Sequence, residues 1–235
     1  MLAAAAVCPH PPLLVPEAMG ASGPHRDGDL GALLAACDAA ILGLADAGPD
    51  VIVVVGGAAA TADFGGSAAG SLREYGVGLA VGSGEPVLPL SLTIGSWLLR
   101  RAGLGGGRTR FQALARNTPV ADCLRLGAGL AGQAPRVALL AMGDGPARRA
   151  VGIEGAADPE VEHYEAEVAA ALGDADPGRL ARLAPALDDE LVVAGRAAWQ
   201  VLAGAAEGRQ LAARLRCAVA RYDVSYLVAS WDVIG

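Results

Sequence analysis

Two stretches constrain the fold of this chain more than any others, because neither leaves room for a polar face. They are "DVIVVVGG" (Asp50–Gly57) and "RVALLAMGDG" (Arg136–Gly145). Each is a short, continuous apolar run that stops at glycines, where a half-exposed strand would alternate apolar with polar residues. Such a run suits a strand covered on both faces, as in a parallel sheet held between layers of helix. The segments between them supply the helices. Leu30–Ala47 places Leu30, Leu33, Leu34, Ile41 and Leu44 at helical spacing, with Asp29 as the expected cap. Ser91–Ala102 reads as a helix carrying Trp97. Thr118-Pro119 opens another that ends near Leu130, with Thr as cap and Pro in the first turn.

The rest follows the same alternation. Leu2–Val7 reads as a buried strand, Gly76–Val81 as a weaker one, and a short strand is expected around Phe111–Ala115. Gly56–Gly70 reads as a glycine-rich surface loop. Further on, Asp158-Pro159 opens a helix to about Leu172, Asp176-Pro177 a short one, and Asp188 a long one to about Ala206. The tail "RLRCAVARYDVSYLVASWDV" reads as two strands around a turn at Tyr222-Asp223. The expectation is therefore an α/β fold: one domain over residues 1–235, a mostly parallel central sheet flanked by helices, and a C-terminal strand pair. A chain of 235 residues, 53% hydrophobic, can bury one sizeable core. Aromatics are only 4%, so that core must be built from Ala, Val and Leu.

Charge and cysteine usage exclude several classes. Only 18% of residues are charged, the net charge is −7 and the pI is near 4.9. No basic cluster exceeds a pair, so a phosphate-tracking surface, and with it a nucleic-acid partner, is not expected. Cysteines 8, 37, 123 and 217 are scattered without a CxxC pair, which fits free, mostly buried thiols in a reducing compartment. The opening "MLAAAAVC" lacks the positive region of a signal peptide, and no apolar run reaches the roughly 18 residues of a spanning helix. A cytoplasmic protein with no membrane partner is expected.

Few residues stand out as chemistry-bearing. His10 lies in "VCPHPPLLVPE", between Pro9, Pro11 and Pro12, where the first strand ends. The prolines restrict the backbone and pre-position the imidazole at the end of the sheet where open α/β folds bind ligands. An imidazole so held either packs on its own prolines or faces a ligand, as a base or a metal donor. In the Gly56–Gly70 segment, Thr61 and Asp63 are the polar groups a ligand could meet, and neither GxxxxGK[ST] nor GxGxxG is present. Asp144, between Gly143 and Gly145, either faces a ligand or caps its own turn. His163 and Glu165 fall early in a helix beside Glu162 and Glu167, without HExxH spacing, and read as a solvated face; His25 reads as an exposed loop residue.

The strand followed by "CPHPPLL" resembles the class III extradiol ring-cleavage dioxygenase superfamily, including its protocatechuate 4,5-dioxygenase beta-subunit-like and Memo-like members. "VCPHPPLLVPE", "VVVGG" followed by Thr61 and Asp63, "MGDG", "AGRAAWQVLAGAA" and "YLVASW" are similar, in that order, to an alanine-rich actinobacterial branch. The resemblance implies a non-haem Fe(II) held by two histidines and a carboxylate, or a Cys in Memo-like relatives, with a further histidine as acid/base. It also implies a homo-oligomer.

Carried across, the first ligand is present as His10. Gly56, Gly57 and Ala58 stand where the second histidine is expected, Ala147 where the acid/base histidine is, and Ala194-Gly195 where the Memo-like ligand pair is. Among the motif positions only His10, Gly143 and Asp144 remain. The resemblance therefore implies a kept fold, a pocket around His10 lined by Thr61, Asp63, Gly143, Asp144 and Arg196, and an iron site that has decayed. No cofactor is then expected, and the ligand is a small molecule such as a phenol. The alternatives are an active Fe(II) dioxygenase on a catechol, with His10, Asp144 and Glu165 as a shifted ligand set, and a non-catalytic interaction protein with a filled pocket.

Overall fold

The computed structural model describes residues 1–19, 28–147, 159–185 and 193–234. Its centre is four parallel strands: β1 (Leu2–Cys8), β2 (Val51–Ala58), β6 (Thr109–Ala115) and β7 (Val137–Met142), ordered β6-β2-β7-β1. Beyond β1 the antiparallel hairpin of β8 (Leu211–Arg221) and β9 (Val224–Val233) adds two strands. Beyond β6 the short β3 (Ala62–Gly65) adds one, giving a seven-stranded mixed sheet ordered β3-β6-β2-β7-β1-β9-β8. A separate two-stranded ribbon pairs β4 (Gly70–Ser71) with β5 (Ala80–Val81).

The continuous apolar runs arise because both faces of the central strands are buried. Ala4, Ala6, Ile52, Val54 and Leu140 face one layer, with α1 (Asp29–Asp46) and α2 (Leu90–Arg101). Ala5, Val7, Val53, Val55, Leu139 and Ala141 face the other. That second layer holds α3 (Val120–Ala131), α4 (Pro159–Gly173), α5 (Pro177–Ala181) and α6 (Arg196–Ala206). A core poor in aromatics is closed by close approach. At the α3–α6 crossing a methyl on Gly127 would strike the Val201 carbonyl, and one on Gly204 the backbone of Leu124. All of α6 is buried.

Several expected boundaries move. Gly56 and Gly57 do not start a loop but continue β2 to Ala58, paired with Met142, Ala113 and Leu114. Glycine is required at Gly56 by packing, since a Cβ there would lie 2.5 Å from Ser91 Oγ. The chain then reverses into β3, which pairs with β6, so the expected loop is partly sheet. In place of a strand over Gly76–Val81, Arg73–Tyr75 makes a 3-10 turn closed by Gly76 at φ +74°, and only Ala80–Val81 pairs. Asp29 is the first helical residue and not the cap; its carboxylate pairs with Arg221 of β8. Thr118 does not cap α3, because its hydroxyl donates back to the Ala115 carbonyl (2.6 Å). Asp176 does cap α5, accepting from the Arg179 amide (2.9 Å). The last helix begins at Arg196, with residues 193–195 non-helical; the expected start at Asp188, and Asp158, lie outside the described residues.

Candidate functional site

The site is built where β1 and β7 end side by side. Their pairing outlasts β7 by one residue, as the Gly143 amide donates to the Cys8 carbonyl (2.9 Å). Gly143 has no alternative: a Cβ would fall 2.5 Å from Gly195 Cα and 2.9 Å from Trp199 Nε1. This close approach brings Asp144 beside the proline-flanked turn. Asp144 Oδ1 accepts from the His10 amide (2.8 Å) and lies 3.7 Å from His10 Nδ1, too far for a hydrogen bond. The sequence left open whether Asp144 caps its own turn; in the structure it ties down the turn of a different strand.

His10 is 8% exposed, and its Nδ1 is buried without a partner. The ring lines a cavity of about 200 Å³ whose other walls include Gly57, Ala58, Ser91, Arg116 and Ala194. Ser91, in the first turn of α2, donates to the Gly57 carbonyl (2.8 Å). With Nδ1 enclosed, Nε2 is the ring nitrogen left to meet a ligand. Behind Asp144, Tyr226 of β9 is buried, and its hydroxyl pKa is pushed up to about 12, first by burial and then by the negative charge of Asp144. An uncharged phenol therefore backs the carboxylate at neutral pH.

The expected lining residues divide. Arg196 borders the cavity, but its guanidinium is engaged with the framework. It donates to the carbonyls of Arg116 (2.6 Å) and Thr118 (3.3 Å) and to Gln200 Oε1 (2.6 Å). Thr61, Asp63, Gly143 and Asp144 do not line the cavity; Gly143 and Asp144 support the His10 turn from behind. Thr61 Oγ1 accepts from the Ala115 amide (3.0 Å), and exposed Asp63 borders a groove between β3 and α3. Glu165 lies on α4, bonded to the Ser225 hydroxyl, and borders another cavity; His163 is exposed. His25 lies outside the described residues. Ser91 and Arg116 escape a reading of the sequence because each arrives from a separate strand–helix connection. A serine just after Leu88-Pro89 at a helix start was the one available signal.

A ferrous oxygenase site ordinarily takes two histidines and a carboxylate. Among the described residues the acid beside His10 is Asp144, already held by an amide, and Gly56, Gly57, Ala58, Ala194 and Gly195 carry no donor side chain. Among the described residues no three His, Cys, Asp or Glu side chains converge on one point. The described residues around His10 do not make up an Fe(II) ligand set.

No protein-family model matches the chain, and no curated protein matches it. Among solved structures it is similar to the crystal structure of uncharacterized protein JW3007 from Escherichia coli K12. The two are 15% identical, the match covers 98% of this chain and 99% of that one, and the TM-score is 0.61. A likeness at this identity establishes the fold. Among the described residues no helix is long and apolar enough to cross a membrane.

Proposed function

We propose that the chain is a class III extradiol dioxygenase-like protein whose iron centre has decayed and whose strand-end pocket now serves a small molecule without oxidative chemistry. One observation carries this reading: His10, the one histidine at the expected ligand positions, still lines a cavity, while glycine and alanine occupy the neighbouring positions. The cavity of about 200 Å³ suits a molecule the size of one ring, such as a phenol. Its apolar walls would hold the ring, and His10 Nε2 would meet a polar substituent. The same reading makes the protein cytoplasmic and homo-oligomeric.

Anaerobic reconstitution with Fe(II), followed by metal analysis and catechol-dependent oxygen uptake, tests it. The expected result is sub-stoichiometric iron, no oxygen uptake, and no change in either for His10→Ala. Stoichiometric iron and oxygen uptake that His10→Ala abolishes would establish the active dioxygenase instead. The open cavity weighs against an interaction protein with a filled pocket.

A further inference from the structure

We propose that the group meeting His10 in the strand-end pocket is an oxyanion, the carboxylate or phosphate of a small apolar molecule, held between the N-termini of α2 and α6. The inference rests on the reading that this pocket serves a small molecule, and it names the chemical class of that molecule.

Three observations converge. First, two helices start at the cavity. Its walls include Leu90 and Ser91, which open α2, and Arg196 and Ala197, which open α6; among the described residues none from further along either helix takes part. The cavity therefore lies off the ends of these helices and not along their flanks. First-turn amides point out of that end of a helix and carry the positive pole of its dipole. α2 has 12 residues and α6 has 11, and no side chain caps either. The first helical bonds run from the Thr93 amide to the Pro89 carbonyl (2.9 Å) and from the Trp199 amide to the Gly195 carbonyl (3.0 Å). Ahead of them, the amides of Leu90, Ser91 and Leu92, and of Ala197 and Ala198, meet no acceptor among the described residues. Ser91 is 1% exposed and Ala197 6%, which shields their amides from bulk water.

Second, His10 points to a ligand independently of the helices. Its side chain is nine-tenths buried, borders the same cavity, and has no hydrogen-bond partner among the described residues. Nδ1 is the enclosed nitrogen, so Nε2 is the one that can donate to an oxygen in the cavity. Third, the charged residues at the described wall have one sign. Arg116 and Arg196 border the cavity and no carboxylate does, while Asp144 stands on the enclosed side of the ring, 3.7 Å from Nδ1. The Gly57 carbonyl, which would repel an anion, already accepts from the Ser91 hydroxyl (2.8 Å). Helix N-termini with basic side chains beside them are a general device for holding anions.

Leu90, Val193 and Ala197 supply apolar surface for the body of the ligand, and about 200 Å³ admits a single ring behind the head group. Carboxylate and phosphate share the acceptor oxygens that amide and imidazole donors require.

Isothermal titration of the full chain, freed of metal with a chelator, compares benzoate with its neutral isostere benzamide, with phenol and with phenylphosphate. Benzoate or phenylphosphate should bind about tenfold more tightly than benzamide and phenol, and the tighter anion identifies the head group. His10→Phe, which keeps a ring and removes its nitrogens, should weaken the anion about tenfold at an unchanged melting temperature. Ala58→Asp, a negative charge at a half-buried wall position, should abolish anion binding, whereas Ala58→Asn, of the same size, should weaken it far less. Phenol or benzamide binding as tightly as either anion would overturn the inference and leave the small-molecule pocket standing. Anion binding that Ala58→Asp leaves unchanged would overturn it too, by placing the anion elsewhere. No binding of any of these probes at about 10 mM would overturn both readings.

Discussion

Arg196 shows how one residue can border a cavity and yet belong to the scaffold. Its side chain is 1% exposed, and its guanidinium holds two carbonyls of the β6–α3 connection while Gln200 passes the network on to the Leu183 carbonyl (2.9 Å). Arg116, which walls the His10 cavity, is carried on the connection so held. Arg196→Met keeps the length of the stem and removes every donor, so the part-buried Arg116 and Thr118 carbonyls and the buried Gln200 Oε1 lose their charged partner. The expected loss is about 3 kcal/mol of unfolding free energy, measured by urea denaturation, because several bonds to a charged donor disappear together. Lysine would recover part of this, since one ammonium cannot span both carbonyls and Gln200 in the planar fork.

At the scale of elements, the sheet was readable where burial left a simple imprint. β2 and β7 are written as unbroken apolar runs because helices cover both of their faces. The hairpin of β8 and β9 was readable from its turn. Tyr222 and Asp223 make a two-residue connection between Arg221 and Val224, and both have positive φ (52° and 59°). That conformation matches the twist of the strands but is strained for residues with a side chain. Replacing the pair by Asn-Gly is expected to stabilise the protein by about 1 kcal/mol, read as a rise in thermal midpoint with the strands unchanged by circular dichroism. The strand tip at Gly56–Ala58 was unreadable for the opposite reason. A glycine kept for contact with Ser91 looks, in a sequence, the same as one kept for a turn. Read as a loop, that tip leaves Thr61 and Asp63 free to face a ligand. In fact the chain doubles back there and spends them on the β3–β6 edge.

Over the whole molecule, His10 and Asp144 could be anticipated because strand ends and their flanking glycines and prolines are local signals. The cavity that His10 borders could not. It also needs Ser91 from α2, Arg116 from beyond β6 and Ala194 ahead of α6, and no spacing rule joins these. Stability as a function of pH integrates the buried titratable groups of the same regions. Tyr226 is held neutral by burial and by Asp144, with its pKa raised to about 12; the hydrogen bond with the adjacent Cys8 thiol, and then burial, raise that of Cys37 well above its ordinary value. Both groups have folded-state pKa values above their unfolded ones. Their contribution is therefore complete below the unfolded values, near 9 for the thiol and 10 for the phenol, and declines as pH rises through the folded ones. Urea midpoints should fall from pH 9 to 11, and Tyr226→Phe should flatten the part of that fall above pH 10. An identical slope in the variant would remove Tyr226 from the account.

The position of β1 between β7 and β9 has a consequence for biosynthesis. β1 finds its antiparallel neighbour β9, through pairs such as Ala4 with Asp232, only once a segment far along the chain has been made. Until then its outer edge is unsatisfied, and the His10 turn hangs from a strand bonded on one side at most. Long-range closures of this kind are slow and expose apolar edges while they wait. Helical layers and the β2–β6 pair can assemble before β9 is made, whereas the strand that carries the His10 turn gains its second neighbour only afterwards.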